Sequence, residues 1–247
     1  MNNRNEKPSL VTAEWSNMAV MNFAVDPAML RSYMPEGVEL ATYRDEHLLS
    51  LVGFQFRHTR MGRMPVPFYG DFIELFLGFF VQRRVDGQER RGWIFIRKIV
   101  PSAMVAAVGR LLYKEDYIKR PMRAIIEAQP VDPAKPQRVR YEWNHRGRWN
   151  SLDIRCGDGA PHLPQEGTVE HYVTENYGGF ARRRGGRGIE FPAEHPPWSV
   201  CSAVEAKLDC DVEPLYGVRF AEVLRAQPHS AFLASGSMVT LGKASKF

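Results

Sequence analysis

Residues 71–81 read Asp-Phe-Ile-Glu-Leu-Phe-Leu-Gly-Phe-Phe-Val, and a strand built from them is apolar on both faces. Phe72, Phe76 and Phe80 fall on one side, and Ile73, Leu75, Leu77 and Phe79 on the other. Such a strand is covered on both sides, as in a closed barrel or a central layer. The next apolar run, Gly92–Val100, follows Val85-Asp86-Gly87-Gln88. Asp-Gly between two apolar runs predicts a tight hairpin, because its turn needs positive φ at both central residues. Val85 then pairs with Gln88, and the register brings Phe76 opposite Arg97 and Glu74 opposite Ile99. Glu74 and Arg97 become diagonal neighbours on one face, within reach of each other. A one-residue slip would reverse this and put Lys98 on the face of Glu74.

Working outward, strand signals dominate. Val11–Val25, Val38–Arg57, Trp198–Asp209 and Ala231–Thr240 are rich in aliphatic and aromatic residues bounded by turn formers. A second hairpin joins Arg138–Asn144 to Trp149–Cys156. In it Val139, Tyr141 and Trp143 alternate with Arg138, Arg140 and Glu142, so one face should be wet. Three short helices are expected. Asp26-Pro27 caps one that stops near Pro35. Ser102 caps a second, with an apolar stripe of Met104, Val105, Val108, Leu111 and Leu112. Thr168 starts a third carrying Val169, Tyr172, Val173 and Tyr177, ended by Gly178-Gly179. The pattern is that of a β-dominated α+β fold. The proline- and glycine-rich stretches, such as Gln129–Gln137, read as loops inside one domain spanning residues 1–247, with residues 1–10 a flexible leader.

The composition is that of a globular chain: 247 residues, 44% hydrophobic and 25% charged. Its size suffices to bury roughly 70–75% of the unfolded surface without staples. Three cysteines, Cys156, Cys201 and Cys210, form no CxxC pair. They argue against a disulfide framework and read as small hydrophobes in a reducing, cytoplasmic setting. The N-terminus MNNRNEKPSL lacks an apolar segment, and no run approaches the ~20 residues of a membrane span. Signatures for dinucleotide, phosphate or zinc-protease chemistry are absent, and the histidines have no metal-ligand spacing. Neither a cofactor nor a metal is therefore expected. The formal charge of +5 includes the cluster Arg182, Arg183, Arg184 and Arg187 in a glycine-rich turn. It reads as a solvated loop more readily than as a nucleic-acid contact, since only Phe180 stands beside it.

Few residues carry a chemical signal. Glu74 is a carboxylate among apolar neighbours, and burying it costs several kcal/mol unless it is paired or neutral. Arg97 is the same anomaly on the next strand, and the two read either as a structural ion pair or as part of a site. Lys119, beside Arg120 in GRLLYKEDYIKRPM, is either a solvated lysine or an amine activated by its cationic neighbour. His195 and Trp198 in EHPPWSV are held by two prolines at a strand start, where they could line a pocket mouth.

Taken together, DFIELFLGFFV, AAVGRLLYKEDYIKRPM, VEHYVTENYGGF, EHPPWSV and SAFLASGSMVT resemble the YqjF-like family. That family is uncharacterised in function and sits within the acetoacetate-decarboxylase-like superfamily. The resemblance, from about Trp15 onward, implies curved antiparallel sheets forming a barrel-like pocket for a small organic ligand, often in homo-oligomers. The decarboxylases carry Gly-Arg on a helix and then a lysine pair that supplies the Schiff-base amine. Gly109-Arg110 matches the first part. An ungapped match then puts Tyr117 and Ile118 at the lysine positions, whereas Lys119-Arg120 fits with one inserted residue. Glu74 resembles the acidic residue of that pocket. The implied site is thus Glu74, Lys119 and Tyr117 for chemistry, with Arg97, Arg110, His195 and Trp198 around the ligand. The expected protein is an enzyme on a carbonyl or carboxylate compound, or a ligand sensor or carrier on the same fold.

Overall fold

The computed structural model describes residues 10–62, 64–66, 69–128, 136–183 and 185–247. The strands, in chain order, are β1 (Val11–Ala24), β2 (Glu39–Leu40), β3 (Leu48–Met61), β4 (Met64–Pro65), β5 (Phe72–Val85) and β6 (Gln88–Val100). After helix α1 (Ala103–Tyr113) come β7 (Tyr117–Lys119), β8 (Met122–Ala128), β9 (Pro136–His145) and β10 (Arg148–Cys156). Helix α2 (Val169–Thr174) precedes β11 (Gly178–Arg182), β12 (Gly188–Glu194) and β13 (Val200–Asp209). Helices α3 (Val212–Tyr216) and α4 (Ala221–Arg225) lead into β14 (Ser230–Leu241) and β15 (Ser245–Lys246). The chain is a β-dominated α+β fold.

The strands run in the order β12-β11-β6-β5-β3-β1-β14, and β12 pairs again with β14, so the curved sheet closes on itself as a ring. Strand β13 continues from β14 into a second layer, β13-β10-β9-β8. Strand β5 explains both layers at once. Its Phe76 and Phe80 point into the ring with Val52, Phe54 and Trp198, while Leu75, Leu77 and Phe79 face outward into a core shared with Tyr141 and Trp143 of β9. Each such buried Leu or Phe is worth about 1.5–3 kcal/mol, which makes this two-sided strand the centre of the fold.

Local signals act as expected in several places. Asp86 and Gly87 both have positive φ in the β5–β6 turn, as do Arg146 and Gly147 between β9 and β10. Asp26 accepts a hydrogen bond from Ala28 N, Ser102 from Val105 N and Thr168 from His171 N. Three expectations fail. The first helix is only a pair of 3-10 turns, Pro27–Met29 and Arg31–Tyr33. Helix α2 stops at Thr174 with Glu175 as its C-cap, so Tyr177 lies outside it and Gly178-Gly179 open β11 instead of ending the helix. Most of the apolar stripe of α1 faces outward, with Met104, Val108 and Leu111 exposed and only Val105 packed inward; the buried face is Ala106, Gly109 and Tyr113. Small residues win there because they let the helix approach Tyr117 closely. Part of the Gln129–Gln137 loop, most of the N-terminal leader and Arg184 lie outside the described residues. Among the described residues no helix is long and apolar enough to cross a membrane.

Candidate functional site

The site turns on one extra residue. From the β5–β6 turn the register runs as expected, Val85 opposite Gln88, as far as Gly78 opposite Phe95. There β6 carries a bulge, and Leu77 pairs with Arg97, Phe76 with Lys98 and Leu75 with Ile99. A bulge inserts one residue into one strand, so every side chain beyond it changes face. Trp93 and Phe95 point into the ring before it, and Lys98 after it. The expected pairing of Arg97 with Glu74 is therefore wrong. Arg97 points outward, bonded to Asp116 at 2.8 Å and to the Leu215 carbonyl.

Lys98 takes the place beside Glu74, with Nζ 3.6 Å from Glu74 Oε1 and 2.8 Å from Glu115 Oε2. All three groups are buried. Lys98 attracts Glu115 both through its charge and by direct contact. The ammonium also lies 3.6 Å from the centre of the Phe95 ring, a cation–π contact that helps offset its lost hydration. Two acids face one base. Burial, opposed by Lys98, pushes the Glu74 carboxyl up to about 7. Burial raises the Glu115 carboxyl too. The cluster thus keeps one proton more readily than the same groups in water would.

Tyr117 completes it. Strand β7 runs parallel to β6 with Tyr117 beside Lys98, and its phenol approaches both carboxylates. Burial and those two acids hold the phenol protonated well above its usual range. The Gly109-Arg110 pair exists to place this ring. A Cβ on Gly109 would lie 2.4–2.8 Å from three Tyr117 ring atoms, and Arg110 Nε donates to the Tyr117 carbonyl at 2.9 Å. Arg110 is exposed and positions Tyr117 rather than lining the cavity. Gly109→Ala should therefore lower stability by about 1–3 kcal/mol through overpacking, whereas Leu111→Ala on the exposed face should stay within about 0.5 kcal/mol. Denaturant unfolding of the two variants checks the contrast.

Glu74, Lys98 and Tyr117 of the cluster, but not Glu115, line a largely enclosed cavity of ≈ 70 Å³ inside the ring. That is several times the ~10–15 Å³ that admits one water, enough for a ligand of a few non-hydrogen atoms. Its walls are aromatic, with Trp15, Phe54, Phe56, Phe76, Trp93 and Phe95. His195 and Trp198 line it as expected, their rings stacked 3.9 Å apart. Burial draws His195 below the usual imidazole range, so it is neutral at pH 7. Lys119 is exposed at the end of β7 and does not reach the cavity. Sequence reasoning missed Glu115 and reached Lys98 only as the outcome of a one-residue slip, which the bulge supplies. The isolated Gly78 inside a strand was the available signal for a bulge. Among the described residues no group of three His, Cys, Asp or Glu side chains is placed to hold a metal ion. The arginine cluster is elsewhere: Arg182 donates to the Ser32 carbonyl, and Phe180 is buried.

The closed β ring with its few short helices is an acetoacetate-decarboxylase-like fold. The chain belongs to the DUF2071 family, described as an uncharacterized conserved protein, which matches residues 12–238. Its structure is similar to that of an acetoacetate decarboxylase-like enzyme from Sphingomonas wittichii RW1, with a TM-score of 0.68 and 12% identity, covering 100% of this chain and 98% of that one. Acetoacetate decarboxylase from Legionella pneumophila gives a TM-score of 0.68 at 13% identity, over 98% and 89% of the two chains. The enduracididine biosynthesis enzyme MppR, complexed with pyruvate, gives 0.65 at 12% identity, over 99% and 93%. At such identity the likeness concerns the fold. No curated protein matches the chain.

Proposed function

We propose that this protein is an enzyme acting on a small carbonyl compound, with Lys98 as the amine that condenses with it. The observation that carries this reading is Lys98 Nζ buried at the cavity end, 2.8 and 3.6 Å from two carboxylates whose proton affinity burial has raised. With one of the two acids already protonated, proton transfer from the ammonium to the other carboxylate frees the amine and leaves all three groups uncharged, which a low-dielectric site tolerates. The amine adds to the carbonyl carbon while the Tyr117 phenol donates to the developing alkoxide. The carbinolamine then loses water, taking a proton from the carboxylic acid, and leaves an iminium that withdraws electrons from the adjacent bond. The amine comes from β6 rather than from β7, where Tyr117 stands at the position the resemblance assigns to a lysine. The fold likeness to acetoacetate decarboxylases supports the reading.

Incubation with isobutyraldehyde and sodium borohydride should fix an alkyl group on Lys98, located by peptide mass mapping. Labelling confined to exposed lysines such as Lys114 and Lys119, and unchanged in Lys98→Met, would count against the amine. A ligand carrier on the same cavity is the second reading. It is favoured by the 2.8 Å pairing that Lys98 already makes with Glu115; ligand binding without any adduct would select it.

A further inference from the structure

The walls of the cavity say which carbonyl compounds fit, and this inference rests on the reading of the cavity as a substrate site. We infer that the substrate is uncharged and largely apolar, an aldehyde or ketone of a few non-hydrogen atoms, and that carboxylate-bearing analogues such as keto acids are excluded.

Three observations carry it. First, Lys98 is the only lysine or arginine among the described residues that line the cavity, and it already faces two acids. Arg97 and Arg110, the two guanidinium groups expected around the ligand, are both turned elsewhere, onto Asp116 and the Tyr117 carbonyl. His195, the remaining basic group of the wall, is held neutral by burial. A ligand carboxylate would enter with no free cation to receive it, and Glu74 and Glu115 would repel it through a low-dielectric space. Second, the unused polar atoms of the wall are uncharged. Tyr113 Oη, Trp15 Nε1 and Asn176 Oδ1 are buried without a hydrogen-bond partner. They suit a carbonyl or hydroxyl group, whose desolvation costs far less than that of a carboxylate. Third, the remaining surface is aromatic and aliphatic, and the volume admits only a small body.

The test uses two unreactive isosteres that differ in charge, isobutyramide and isobutyrate, so the outcome does not depend on imine formation. Trp15, Trp93 and Trp198 line the cavity, so titration at pH 8 can be followed by tryptophan fluorescence. Isobutyramide should bind at least about tenfold more tightly than isobutyrate. In Glu74→Gln, which removes one of the two repelling acids, the gap should narrow as isobutyrate binding improves. Equal or tighter binding of isobutyrate by the native protein, or no binding of either, overturns the inference. An aldehyde adduct on Lys98 together with tight isobutyrate binding would sink the substrate class and leave the amine chemistry standing. Selective amide binding without any adduct would do the reverse.

Discussion

Lys98→Met should destabilise the protein by about 3–5 kcal/mol at pH 8, the range for stranding buried charge. The size follows from the stoichiometry of the cluster. Among the described residues Lys98 is the only base paired with Glu74 and Glu115, and all three groups are buried. Removing it leaves two acids with no countercharge, and each can only take up a proton. The sign with pH follows. Loss of the cation raises both folded-state carboxyl pKa values further above their unfolded values. Stability is then fully present below the unfolded pKa and is lost as pH rises through the raised folded pKa. The variant should come close to the native protein near pH 5 and fall away toward pH 8. Urea unfolding at the two pH values measures this; a loss of equal size at both would show that packing, not charge, is responsible.

Glu74→Gln should do the opposite and stabilise the protein by up to about 3 kcal/mol at pH 8. Glu74 is raised from 4.5 to about 7, with burial the largest cause. Its raised pKa means that the native protein loses stability as pH climbs from about 4.5 to 7 and no further above it. A glutamine has the shape of the protonated acid and keeps it at every pH. Lys98 is not orphaned, because Glu115 remains 2.8 Å away. The same variant should lose adduct formation if Glu74 accepts the lysine proton, a trade of activity for stability that is common where a site holds strained charge. Thermal or urea unfolding from pH 4 to 8 gives the slope: a variant that parallels the native curve throughout would show that Glu74 is not the titrating group.

Much of the fold was legible in the chain because it rests on short-range rules. The two-faced apolar strand at 72–81, the positive-φ turn at Asp86-Gly87 and the caps at Ser102 and Thr168 depend on neighbours within a few residues. The period-two alternation of β5 likewise placed Glu74 on the same side as Phe76, which turned out to be the inside of the ring. His195 and Trp198 were legible as wall residues for a similar reason, the stiffness of the two prolines between them. What decided the site was not local. The bulge after Phe95 reverses the faces of Arg97 and Lys98, and no alternation pattern reveals a single inserted residue. Glu115 reaches Lys98 only because β7 lies parallel to β6, a pairing between segments separated by a helix. The α1 stripe turned outward because the ring of Tyr117 needed the space above Gly109 more than the core needed Leu111. By itself the sequence determined the long strands β1, β3, β5, β6, β9, β10, β13 and β14, the two hairpin turns and the presence of a buried acid, but not β7, β8, β11 or β12. Which cation meets that acid was decided by the tertiary structure, because closing the ring sets which residues of β6 face inward.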